Sequence, residues 1–239
     1  MTMEKYEQNI KQVVILAGGK GTRMREMTED LPKPMVSIGG IPVIQHLINI
    51  FNFYGNFEFV ICAGYKKEII FEYFNDVKNV TVVDTGIDTN TGGRILKVKN
   101  YLKDNFIVTY GDGLANVNIN NLIDFHHTHK NIGTITVANP ISRFGLVEFN
   151  NKKCVSNFVE KPKLDVNVNI GFMIFKIDFL NYLNEGSILE TEPLKLLSRD
   201  HKLFAFEHSG YFEPMDTYRE YLKLNEYWKD GNPPWMDLK

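Results

Sequence analysis

Cysteine is nearly absent from this chain. Cys62 and Cys154 are the only two among 239 residues, too few for a disulfide framework. Their apolar settings, ICAG and KKCVSNF, predict two buried, reduced thiols. Long apolar runs are missing as well: none approaches a membrane-spanning helix, and the longest are strand-sized. Neither sign of charge dominates. The formal balance of −2 gives no general pull toward nucleic acid or an anionic membrane, and no basic patch is interleaved with aromatics as a nucleic-acid binder would need. Repeats, low-complexity tracts and Pro/Ser-rich linkers are lacking too, so a single domain over 1–239 is expected. The polar opening MTMEKYEQNIKQ reads as neither signal peptide nor anchor, and a cytoplasmic protein is expected.

What is present alternates. Val13 to Leu16 is a continuous apolar run, the mark of a strand covered on both faces. Ile44, Leu47, Ile48 and Phe51 then form a helical stripe. A strand over 57–63, a helix over 66–74, a strand over 80–84, a helix over 91–102 and a strand over 106–110 complete the first half. This rhythm predicts an α/β fold with a mostly parallel sheet and helices on both faces. Beyond Gly133 the strands shorten, and helices at about 188–199 and 216–229 close the chain. We therefore expect a nucleotide-binding half over about 12–132 and an acceptor-binding half over about 133–239.

Three loops leave the carboxyl ends of predicted strands, where open α/β sheets gather ligands: LAGGKGTRM, DTGIDTNTGGR and YGDG. GGKGTR has neither P-loop nor dinucleotide spacing. It offers unobstructed backbone N–H groups beside Lys20, Arg23 and Lys33, a combination suited to a triphosphate. An ordinary glycine-rich turn is the plainer alternative. In DLPKPM two prolines fence Lys33 and stiffen the backbone around it.

LAGGKGTRM followed by LPKPM, YGDG, EKP and EPMDT resembles the nucleotidylyltransferases that activate sugar phosphates. VVDTGIDTNTGGRI, TYGDGLANVNI and EPMDTYREYLKLNEYWKDGNPPW resemble their glucose-1-phosphate cytidylyltransferase branch. The resemblance covers nearly the whole chain in order. It implies that CTP and a phosphorylated acceptor, glucose 1-phosphate first, are joined with release of pyrophosphate. It also implies Arg23, Lys33 and Lys161 as the catalytic cations. The nucleotide site would take Leu16, Ala17, Gly18, Gly19, Lys20, Gly21, Thr22, Arg23, Lys33, Thr89, Gly92, Arg94 and Gly111. The acceptor would meet Gly145, Glu160, Lys161 and Asn169, with Mg2+ on Asp112 and Asp216.

Each role has a plainer reading. Asp216 suits a helix N-cap, EKP a solvated turn, Asn169 a strand-start residue bonded to backbone, and Arg94 an exposed helix start. As a base reader Arg94 would donate to O2 and N3 of cytosine, both acceptors, whereas uracil and thymine present an N–H at N3. The run HHTH (126–129) fits a helix end better than a metal site. Tyr221, Leu224 and Trp228 form a packing face, and a homo-oligomer is expected. Two departures from the branch point elsewhere. The 75–79 segment is short, and Ile170 follows the substrate asparagine where the branch has glycine. Together they predict a smaller or differently shaped acceptor pocket, of the kind a phosphoglutamine cytidylyltransferase of capsule phosphoramidate pathways would have. A non-catalytic nucleotide-binding relative is the reading of another class.

Overall fold

The computed structural model describes residues 10–239, apart from the side chains of residues 25 and 26; most of the N-terminal opening, residues 1–9, lies outside them. Four strands form the expected parallel core: Gln12–Ala17, Glu58–Ala63, Val80–Asp84 and Asn105–Tyr110. Gln12–Ala17 is central, with Val14 in register with Val60 on one side and Val108 on the other. Its residues alternate between two cores. Val13, Ile15 and Ala17 pack with Ile44, Leu47 and Phe51 of the helix Val43–Phe53, while Val14 and Leu16 pack with Ile95, Leu194 and Leu197. Helices thus cover both faces, which is why this strand reads as an unbroken apolar run.

The second half adds antiparallel strands to the same sheet. Met173–Lys176 pairs with Asn105–Tyr110. Gly133–Ala138 follows, bordered by Val168–Asn169 and Met173–Lys176 on one edge and pairing in parallel with Leu203–Glu207. The helix Ile119–His129 ends in the histidine run. There His126 Nδ1 and His129 Nε2 both meet Thr134 Oγ1, at 2.7 and 2.8 Å. Two expected helices are shorter than periodicity suggested: Thr91–Lys97 passes into a 3-10 turn at Lys99–Tyr101, and the later one spans Pro193–Arg199. The proline sits in the first turn, where its missing N–H is harmless.

Several expectations change. Cys62 is buried, but Cys154 is exposed, in the turn of a two-stranded ribbon formed by Leu146–Phe149 and Val155–Val159. Neighbouring apolar letters misled because every residue of that ribbon is itself exposed. Ile170 is 3% exposed and lies in the main core with Phe172 and Phe51, not on an acceptor wall. The glycine that gives room is its neighbour Gly171, at φ +82°, where a Cβ would stand 3.0 Å from the Tyr110 ring. The 75–79 segment enters Val80–Asp84 at its amino end, opposite the ligand-binding ends of the strands. The stripe on the last helix, Tyr218–Lys229, is satisfied within the chain: Leu224 is fully buried and Trp228 packs edge-on against His46 at 4.8 Å.

Candidate active site

From the central strand the chain runs outward to Glu58–Ala63 and Val80–Asp84, then returns to place Asn105–Tyr110 on the other side. The crevice between the first and last of these is a switch point of strand order. Leu16 and Tyr110 end side by side there, and Gly111 N–H donates to Leu16 C=O at 3.1 Å. The glycine loop and YGDG leave the sheet together. Around them lies a cavity of about 440 Å³ lined by Gly18, Arg23, Lys33, Thr89, Arg94 and Asp112, among others.

Lys33 is the centre of the charge arrangement. Its 3-10 turn Lys33–Met35 follows Pro32, and the side chain is 8% exposed. A buried ammonium without partners costs several kcal/mol. Here it has two: Lys33 Nζ donates to Asp112 Oδ2 and, at 2.7 Å, to Asp216 Oδ1. Arg23 Nη1 holds the other Asp216 oxygen at 2.7 Å. Burial works to raise the Asp216 carboxyl, but the hydrogen bond and charge of Lys33, with Arg23 and Arg143 behind them, outweigh it and hold the group below the usual carboxylate range. Asp216 is not the helix cap. Thr217 takes that place, in a capping box in which its N–H and hydroxyl both meet Glu220 Oε2 at 2.6 Å. The aspartate is left to Lys33 and Arg23.

One cation already stands between the two carboxylates, so a divalent ion fits the same donor set. Magnesium uses one or two carboxylates together with phosphate oxygens and water. Among the described residues no group of three or more His, Cys, Asp or Glu is arranged to hold a metal by itself. Any magnesium here would need its other ligands from a substrate.

Arg94 sits where expected but not as an exposed arginine. It is 4% exposed, and its Nη1 and Nη2 donate to Thr85 Oγ1 (2.6 Å) and to the carbonyls of Gly86 (2.7 Å), Gly18 (3.0 Å) and Ile87 (3.2 Å). A Cβ on Gly18 would stand 2.0 Å from Nη1, so only glycine admits this approach. The guanidinium ties the glycine loop to the segment after Val80–Asp84. Gly92 lies outside the cavity wall: it is a glycine because a Cβ would meet Ser187 at 2.8 Å. Lys20 reaches across the surface to Asp88 at 2.9 Å.

Of the residues expected to meet the acceptor, Lys161 lines a second cavity of about 650 Å³ that has no wall residue in common with the first. Thr217, directly after Asp216, is also in its wall. Glu160 pairs with Lys161 at 3.1 Å at the end of the ribbon. A Cβ on Gly145 would stand 2.5 Å from the Phe158 ring, so this glycine serves ribbon packing. Asn169 Oδ1 accepts from Gly171 N–H at 3.1 Å. It lines neither cavity but touches the Tyr110 phenol. Sequence reading passed over Glu190, which accepts from both Tyr110 and Thr91; nothing local in ILETEPL marks it. Among the described residues no helix is long and apolar enough to cross a membrane.

The family model described as nucleotidyl transferase matches residues 12–234. A glucose-1-phosphate cytidylyltransferase of Salmonella typhimurium is 40% identical, over 94% of this chain and 98% of its own length. A UDP-glucose pyrophosphorylase solved with UDP-glucose superposes with a TM-score of 0.72, over 94% of this chain and 100% of its own, at 18% identity. HddC from Yersinia pseudotuberculosis, solved with GMP-PN, gives the same TM-score at 24% identity, covering 92% of this chain and 100% of its own. Sequence match, sheet order and crevice agree, and the chain belongs to the nucleotidyl transferase family.

Proposed function

We propose that the chain transfers the cytidylyl group of CTP to glucose 1-phosphate, giving CDP-glucose and pyrophosphate. The observation that carries this reading is the pair Asp112 and Asp216 on the one ammonium of Lys33, which with Asp112 lines the glycine-loop cavity, beside a separate cavity lined by Lys161. Likeness to the Salmonella enzyme along nearly all of both chains supports the choice of nucleotide and sugar. The Asp, Lys and Arg set is assembled, which disfavours a binding relative without activity.

The reaction asks little covalent chemistry of the protein. An acceptor phosphate oxygen forms the new bond to the α-phosphorus, the bond from that phosphorus to the α–β bridging oxygen breaks, and pyrophosphate leaves with the electron pair. A phosphate monoester is already an anionic nucleophile, so no general base is needed; alignment and charge screening are. The glycine-loop amides and Arg23 would hold the β- and γ-phosphates. Lys33 would turn toward the α-phosphate, and Lys161 would bring up the acceptor phosphate. Asp112 and Asp216 would hold magnesium, which supplies charge neutralisation on the transferring phosphorus. For Arg94 to read cytosine, its guanidinium exchanges wall carbonyls for O2 and N3.

Ile170 in the core and the 75–79 turn at the far end of the strands remove both sequence features that favoured a smaller acceptor. The test is pyrophosphate release with CTP and Mg2+ over hexose 1-phosphates, other sugar phosphates and phosphorylated amino acids. Efficient turnover of glucose 1-phosphate is expected. Silence with every hexose 1-phosphate alongside turnover of phosphoglutamine would sink the sugar and spare the cytidylyl transfer.

A further inference from the structure

The wall of the glycine-loop cavity includes Thr89 and Arg94 and, besides them, Thr91, Tyr110 and Ile188. With its phosphates on the glycine loop and its base at Arg94, a nucleoside triphosphate would bring its ribose to the remaining wall. Tyr110 and Thr91 each carry a hydroxyl there, and one carboxylate organises both. Tyr110 Oη donates to Glu190 Oε1 at 2.5 Å, and Thr91 Oγ1 donates to Glu190 Oε2 at 3.0 Å. An ionised carboxylate only accepts, so both hydroxyl protons are committed to it.

The oxygens are then confined to accepting. Thr91 Oγ1 already accepts from Leu189 N–H at 2.9 Å. A hydroxyl oxygen has two lone pairs, so each of the two keeps at least one for a further donor. The phenol keeps its proton: burial first, and then the charge of Glu190, push its pKa upward. Gly171 leaves the space its ring needs. Two acceptors fixed by one carboxylate suit a partner with two adjacent O–H donors. Ribose has them at 2′ and 3′; a deoxyribose lacks one.

We propose that Tyr110 and Thr91, oriented by Glu190, accept hydrogen bonds from the ribose 2′- and 3′-hydroxyls and so select ribonucleotides over deoxyribonucleotides. The inference rests on the nucleotide-transfer reading. Tyr110 and Thr91 are the binding groups and Glu190 the positioning residue.

The test compares kcat/KM for CTP, 2′-deoxy-CTP and 3′-deoxy-CTP, with the same ratios taken as Kd by calorimetry without acceptor. In the unmodified chain each deoxynucleotide should be weaker by about tenfold, one neutral hydrogen bond with its donor removed. Tyr110→Phe keeps the ring and should bring one of the two ratios close to one; Thr91→Val should do so for the other. Glu190→Gln, whose amide can donate, should lower both ratios, while Glu190→Asp keeps the carboxylate and should retain part of them. A purely structural role would lower CTP and both deoxynucleotides by one common factor, and that result overturns the proposal. So does a change that follows deoxy analogues of glucose 1-phosphate instead of the nucleotide. Calorimetry separates this failure from that of the parent reading. A chain that binds CTP over 2′-deoxy-CTP through Tyr110 or Thr91, yet turns over no acceptor, keeps this inference and loses the transferase one.

Discussion

The carboxyl ends of the parallel strands and the ribbon at 146–159 invert each other. At the strand ends, charged side chains are buried: Lys33 and Arg94 lie under the surface among carboxylates and carbonyls. On the ribbon, apolar side chains are bare, with Phe149, Val155 and Phe158 all more than half exposed. The first region can bury charge because each charged group meets partners that replace water. The ribbon has only two strands and no core beneath it, so its apolar residues have nothing to enter. The contrast separates a glycine-loop end built on buried, paired charge from a ribbon that leads to Glu160 and Lys161. Four tests probe it, from turnover through stability to labelling.

The largest effect belongs to the carboxylate pair. Asp112→Asn or Asp216→Asn should lower kcat by about 100-fold or more, a barrier change of about 2.7 kcal/mol or larger, with an unchanged circular dichroism spectrum. Turnover near normal at saturating CTP and Mg2+ would remove that residue from the proposed metal site.

Next comes the buried clamp. Arg94→Ala leaves the carbonyls of Gly86 and Ile87 without this donor and Gly18 C=O with Tyr65 N–H alone, which should destabilise the chain by about 3 kcal/mol. It should also lower CTP efficiency more than UTP efficiency. Urea unfolding and paired nucleotide kinetics read the two effects. Loss of stability with an unchanged CTP/UTP ratio would leave Arg94 as a clamp alone.

A matched pair of phenylalanines tests packing directly. Phe51 is fully buried and stacked 5.7 Å from Phe172; Phe51→Ala should cost about 3–5 kcal/mol. Phe158 is 61% exposed, and Phe158→Ser should shift unfolding by no more than about 0.5 kcal/mol. A large loss from Phe158→Ser in the urea midpoint would mean that the ribbon is covered after all.

The smallest effect is on the cysteines and leaves the fold untouched. Burial pushes the Cys62 thiol up to about 12, against a weaker opposing influence of Arg94. It should stay unmodified by a thiol reagent at pH 8 until the chain unfolds, because the thiolate is the reactive form. Cys154, in the ribbon turn, should label at once. Mass spectrometry after brief labelling distinguishes one adduct from two.

Much of the site was legible because its parts are local. The unbroken run Val13–Leu16, the glycines after it and the prolines around Lys33 each announce their backbone within a few residues. Other readings failed where letters carry no information on layering. Cys154 lies in an apolar-looking stretch that has no core beneath it. Ile170 belongs to the core because the chain bulges at Gly171 and Phe172, both at positive φ. Glu190 went unread because its meaning depends on Tyr110, 80 residues earlier.

By itself, then, the sequence determined the strand and helix rhythm, the chemistry of the loops at the strand ends and the family. Hydrophobic periodicity and turn residues act over a few positions and can be read in order. The tertiary structure alone decided that Lys33 would meet Asp112 and Asp216, 79 and 183 residues away. It also left Asp216 to Lys33 and Arg23 by giving the helix cap to Thr217, and it turned Arg94 into a clamp on the glycine loop. Those outcomes depend on which strand ends pack side by side and which buried groups must find a partner there, and no local pattern encodes that.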